Sequence, residues 1–167
     1  MKAKPVQPDS FRLRVLKALT AALEDITPEN GYQHNLAGAV FRGRDTFGHS
    51  DPLPMVSLLE SIDEKEWTRM PEGSGTQGSQ WELLVQGWVE DNDKNPTDPA
   101  YQLLADVKKR LAEIRKDRYN ALGFQGKVEK INFSSGVVRP SDEISDKAYF
   151  WLKVQLFVIE DHLAPFF

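Results

Sequence analysis

The stretch "WELLVQGWVEDNDKNPTDPAYQLLADVKKRLAEI", residues 81–114, constrains this chain more than any other. It starts with near alternation. Trp81, Leu83, Val85 and Val89 fall on one face of a strand, and Glu82, Gln86, Trp88 and Glu90 fall on the other with Leu84. That one-sided pattern suits a sheet with one face on a core. The period then changes. Leu103, Leu104, Val107, Leu111 and Ile114 recur at helical spacing, which predicts a helix over 98–116. Its basic residues Lys108, Lys109, Arg110, Arg115 and Lys116 crowd the C-terminal half, where the helix macrodipole favours them. A strand that turns directly into an amphipathic helix buries both apolar faces by folding the helix back on the sheet.

The turn between them, "EDNDKNPTDP", invites comparison with a calcium loop because Asp91, Asp93 and Asn95 alternate. Such a loop needs glycine at its sixth position and a bidentate glutamate at its twelfth. Counted from Asp91, those positions hold Pro96 and Gln102, and a strand precedes the loop where a helix should. The stretch reads instead as a strand-to-helix turn. Asp91, Asn92, Asp93 and Asn95 are turn formers, Asp98 is a helix cap, and Pro99 suits the first helical turn.

The remaining segments fall around this unit. Residues 1–10 read as an extended arm. Asp9 or Ser10 caps a helix running to about Asp25, with an apolar stripe of Phe11, Val15, Leu19, Ala22, Leu23 and Ile26. Its other face, with Arg14, Lys17, Glu24 and Asp25, reads as solvated. "TPENG" ends it. Strands are predicted over 37–44 and 53–61, with Pro54 demoting the start of the second to an edge. Residues 62–80, rich in glycine and serine at their end, read as a flexible loop or arm. Two more strands are predicted over 127–136 and 147–161, and the second, apolar on both faces, reads as central. Residues 162–167 form a tail whose two phenylalanines could dock on the core or on a neighbour. The whole is an α+β fold: a single domain spanning 11–161, a mixed or antiparallel sheet, and two main helices packed on one face. The strand–helix–strand passage over 81–133 could form a crossover and make one strand pair parallel.

Length and composition narrow the function. The 167 residues suffice for one domain with a real core. The net charge of −4 argues against a free nucleic-acid binder while leaving room for a local basic patch. No apolar run is long enough to span a bilayer, and the N-terminus lacks the apolar stretch of a signal peptide. The absence of cysteine removes disulfides, thiolate metal sites and cysteine nucleophiles.

Motifs of catalysis are missing. His34, His49 and His162 are scattered without metal-binding spacing and read as loop histidines. There is no nucleophile elbow and no phosphate loop, since "GSGTQG" leads into a strand and not a helix. The residues that stand out suit contact instead. Arg42 and Arg44 share one face at a strand end, as a solvated edge or as partners of an acidic surface. Trp81 and Trp151 read as core, Trp88 as partly wet, and Trp67, with Arg69 close by, as an interface anchor or a residue folded back on its own sheet. Asp91 and Asp93 would offer a negative rim to a neighbouring subunit's Arg42 or Arg44. Two other classes stay open: an enzyme whose site gathers His49, Asp51 and Glu60, and a module that recruits a partner through Trp67.

The ordered segments "RLRVLKALTAALEDI", "AGAVFRGRDTFGHSDPLPMVSLLE", "WELLVQGWVEDNDKNPTDPAYQLLADVKKRLAEI" and "FWLKVQLFVIED" together resemble the tail terminator, or tail completion, proteins of tailed bacteriophages. The resemblance covers roughly residues 11–161 and rests on segment order, with "NPTDPAY" before the helix as its best single piece. It implies a small α+β virion protein, made in the host cytoplasm, that forms a homohexameric ring on the head-proximal end of the tail tube. Such a ring ends tube polymerisation and presents the surface that joins the tail to the head. A head-closure or adaptor protein of the same neck is the nearest alternative. The implied partners are other copies of the chain, the tail tube protein and the head–tail connector. The resemblance implies no enzyme activity, cofactor, metal, membrane or sequence-specific nucleic-acid contact, although genome DNA would pass through the ring. No family motif fixes individual binding residues, so none is carried over. The insert "EKEWTRMPEGSGTQGSQ" is longer than a plain hairpin needs.

Overall fold

The computed structural model describes residues 7–61 and 73–166. Two helices, α1 (Phe11–Glu24) and α2 (Asp98–Lys116), accompany six strands: β1 (Val40–Arg42), β2 (Met55–Glu60), β3 (Thr76–Val89), β4 (Val128–Phe133), β5 (Val137–Arg139) and β6 (Ala148–Asp161). Single turns of 3-10 helix lie at Pro28–Asn30 and Ala121–Gly123. The sheet runs β1-β2-β3-β6-β4, and β5 adds a short pairing to β6. The fold is α+β, with a mixed sheet and both helices packed on it.

The spine is the β3–β6 pair, antiparallel from Thr76↔Asp161 to Val89↔Ala148. Both strands alternate. Trp81, Leu83 and Val85 face the helices together with Leu152, Val154, Leu156 and Val158, and meet Val15, Leu19 and Leu23 of α1 and Leu103, Val107 and Leu111 of α2 in the main core. Gly87 lies opposite Phe150 on that same face, and a Cβ at position 87 would collide with the Phe150 ring. Burying these side chains contributes roughly 1.5–3 kcal/mol each, which is why the stripes on the two helices decide where the helices lie.

Several expectations change. Residues 76–80 belong to β3 and not to the 62–80 loop, because they complete the pairing with Phe157–Asp161; residues 62–72 of that loop, and 1–6 of the arm, lie outside the described residues. Pro54 does not make β2 an edge: the strand starts after it, at Met55, and β1 takes the edge. The hydrogen-bonded parallel pair is β1 with β2, joined by the 43–54 loop. The crossover through α2 makes β3 and β4 run the same way, but β6 inserts between them and is antiparallel to both.

The caps differ as well. Thr97, not Asp98, takes the N-cap position of α2, with no side-chain cap bond. The donors that a cap would satisfy are otherwise used: Asp98 N–H donates to Asn95 O and Ala100 N–H to Thr97 O, each at 3.1 Å, and Pro99 has none. At α1, Ser10 holds the N-cap position without a side-chain bond, and Asp9 pairs with Lys17 at 2.6 Å. Arg14 is half-buried, not fully solvated, with its guanidinium 5.9 Å from the Phe11 ring centre. The chain end turns back, and Pro165 O accepts the Phe11 N–H at 2.9 Å.

Candidate functional site

The outer face of the sheet carries a second apolar cluster of Met55, Trp88 and Tyr149, with Phe41, Phe47, Leu53 and Trp151 packed against it. Phe47 and Leu53 come from the 43–54 loop, which lies over this face. Trp88 is therefore 1% exposed, and its assignment as a partly wet contact residue is corrected. Strand alternation alone puts Trp88 among polar neighbours; a loop arriving from elsewhere covers it.

The loop is held by charge. Gly48 N–H donates to Asp51 Oδ2 at 2.8 Å, Arg44 pairs with the other oxygen of Asp51, and its guanidinium lies 3.8 Å from the Phe41 ring centre. Arg42 donates to Thr20 Oγ1 of α1 at 2.9 Å. Both arginines thus find partners within their own chain. Trp67 and Arg69 lie outside the described residues. The trio His49, Asp51 and Glu60 does not gather: Asp51 serves Arg44, His49 is exposed, and Glu60 closes β2 while the loop carrying the other two leads into its start.

Asp91 and Asp93 stand at one end of the molecule, where two acidic loops are tied together. Glu90 pairs with Lys147 at 3.0 Å, and Ser141 donates to Asp91 at 3.3 Å. Asn92 Oδ1 accepts the N–H groups of Lys94 and Asn95 at 2.9 and 3.0 Å, so the turn forms through its own side chain. In the second loop, Asp142 accepts from Ile144 N–H, Ser145 N–H and, at 2.9 Å, the Tyr149 hydroxyl. Burial works against the charge on Asp142, but the Ile144 N–H, the Tyr149 hydroxyl, the Ser145 N–H and Arg139 hold its carboxyl below the usual range. Lys147 is shifted up, first by its hydrogen bond to Glu90. Glu90, Asp91, Asp93, Asp142, Glu143 and Asp146, set against Lys94, Arg139 and Lys147, leave this end with an acidic surplus.

The opposite end of α2 is basic. Arg115, Lys116 and Arg118, with Lys130, Glu129 and Asn132 of β4, line an open groove of about 720 Å³ over Ala112, Ala121 and Ile131. Arg115 lies 5.2 Å from the Phe133 ring centre. Among the described residues, Lys116, Arg118 and Lys130 have no hydrogen-bonding or ion-pair partner for their side chains. The groove runs beside the sheet edge, since β4 hydrogen-bonds to β6 alone among the described strands. In the sequence Arg115 and Lys116 read as dipole-matched helix residues; Arg118 and Lys130 join them only because β4 closes a groove beside the helix end.

Two part-buried polar clusters hold the connection from α1 to β1. Asp106 of α2 accepts the N–H groups of Gln33 and His34 at 2.9 and 3.0 Å and lies 2.7 Å from His34 Nδ1. His34 was read as a loop residue near a turn; its link to α2 is added by the fold. Tyr32 donates to Glu113, beside Arg110, and burial first, then that hydrogen bond, pushes the phenol up to about 12. His162 Nε2 lies 2.9 Å from Gln77 Oε1. Among the described residues, no three His, Asp or Glu side chains gather to hold a metal ion. No described helix is long and apolar enough to cross a membrane. Compared with protein-family models and with curated proteins, the chain matches neither.

Proposed function

We propose that this chain is a structural subunit of a tailed-bacteriophage virion, a tail terminator. In this reading, copies of it close into a ring, a homohexamer, on the head-proximal end of the tail tube. The ring ends tube polymerisation and offers the joining surface to the head's connector. The proposal assigns the chain no catalysis and no cofactor.

The observation that carries the reading is the ordered set of segments resembling that family, "WELLVQGWVEDNDKNPTDPAY" above all, built into a sheet whose edge strands, among the described residues, are β1 and β4. A ring of identical subunits uses head-to-tail contacts, so each subunit needs two unlike surfaces that complement one another. A short β1 on one side of the sheet, β4 on the other, and ends of opposite charge meet that requirement.

The test is assembly. Sedimentation of the purified protein over a concentration series, with negative-stain imaging, is expected to give rings. Incubation with growing tail tubes is expected to cap their ends and stop elongation. A protein that stays monomeric and leaves tube growth unchanged overturns the reading.

A further inference from the structure

We infer that the basic groove between the end of α2 and β4 receives the acidic end of a second copy of this chain, the loops carrying Asp91, Asp93 and Glu143. This rests on the ring reading and names the surfaces that would close the ring.

The two surfaces lie at opposite ends of one helix. α2 has nineteen residues, so its ends are about 28 Å apart at 1.5 Å per residue. The acidic loops flank its N-terminus, and the groove flanks its C-terminus. A subunit with opposite charges at its two ends repels a copy presented like to like and attracts one presented head to tail. That is the polarity a rotationally closed ring requires.

The groove also has cations to offer. Lys116, Arg118 and Lys130 have no side-chain partner among the described residues, and neither do Asp93 and Glu143 at the acidic end. By contrast, Arg42 and Arg44, the other cations considered for this contact, are taken up by Thr20 and Asp51. The edge of β4 beside the groove adds backbone groups that an incoming loop can pair with. A nucleic-acid backbone is the other polyanion such a groove could take. The net charge of −4 disfavours that, because a free nucleic-acid binder usually carries a basic surplus.

Two charge-reversed proteins test the pairing. One carries Lys116→Glu and Arg118→Glu, so both of its surfaces are acidic. The other carries Asp91→Lys and Asp93→Lys, which removes the acidic surplus of that end and sets two lysines where the pairing needs carboxylates. All four positions are exposed, and circular dichroism checks that each protein folds. In sedimentation, each alone is expected to assemble at least about tenfold more weakly than the unaltered chain. An equimolar mixture is expected to restore assembly, because an even-membered ring can alternate them. Unaltered chain that forms rings, with either variant assembling equally well alone or the mixture failing to recover, overturns the pairing and leaves the ring reading standing. Unaltered chain that neither assembles nor caps tubes overturns both. Double-stranded DNA bound by the unaltered chain and released by Lys116→Glu with Arg118→Glu assigns the groove to nucleic acid and overturns the pairing as well.

Discussion

Asp106 and His34 stand 72 residues apart in sequence and 2.7 Å apart between Oδ2 and Nδ1. The same carboxylate oxygen accepts two backbone N–H groups, at Gln33 and His34, from a position 7% exposed. One side chain on α2 therefore fastens the segment that leads from α1 into β1.

Removing that carboxylate leaves two N–H groups without their acceptor. Asp106→Ala is expected to lower unfolding stability by about 2–4 kcal/mol, and Asp106→Asn, which keeps one oxygen, by less. Urea denaturation of the three proteins checks the order. A loss under about 0.5 kcal/mol for Asp106→Ala would mean that the segment is held by its apolar residues alone.

Gly87 is required by Phe150. A Cβ at position 87 would meet the ring across the β3–β6 pair, and neither strand can move without shifting a fourteen-residue ladder. Gly87→Ala should cost about 1–3 kcal/mol through overpacking. Combined with Phe150→Leu, the loss should be smaller than the sum of the two single losses, read from thermal unfolding. Simple additivity would refute the clash.

Trp88 should behave as a core residue. Trp88→Ala empties a site shared with Met55 and Tyr149 and is expected to cost about 3–5 kcal/mol, visible as a lowered melting temperature in the monomer. Were Trp88 an assembly contact instead, the monomer would melt unchanged while assembly failed.

Tyr32 sets an alkaline limit. Its phenol is raised from 10.0 to about 12, by burial first and then by its bond to Glu113. The folded protein holds this proton more tightly than the unfolded chain does. The contribution is therefore full below pH 10 and is lost as pH rises from 10 towards 12. Absorbance titration of tyrosinate should show late titration from Tyr32 and from Tyr149, which burial and its bond to Asp142 also raise; Tyr32→Phe should remove the Tyr32 share and flatten the fall in stability over that interval. A titration curve left intact by Tyr32→Phe contradicts this account.

What was legible in the sequence followed from period and local chemistry. The stripe of Leu103, Leu104, Val107 and Leu111 marked α2 with its observed bounds, and alternation marked Trp81, Leu83 and Val85 as facing a core. The central place of β6 followed from apolar residues on both its faces, Tyr149 and Trp151 on one and Phe150 and Leu152 on the other. Pro96 and Gln102 stand where a calcium loop needs glycine and glutamate, and Asn92 organises that turn. All of these depend on residues within a turn or two of each other, whose relative placement the backbone geometry already dictates.

Other features needed chain segments far apart to meet. Trp88 is dry because the 43–54 loop crosses the outer face, and no spacing around Trp88 encodes that loop's path. β6 pairs with β3 through one edge and with β4 through the other and so parts them, a long-range pairing that a local reading of the 81–133 crossover does not see. Arg44 is bound to Asp51 and Phe41, Asp106 serves His34, and the cations ending α2 share a groove with Lys130. Residue types and their period determined which faces had to be buried. Tertiary packing alone decided which charges were left over at the surface, because a charge is free only when no distant segment arrives to neutralise it.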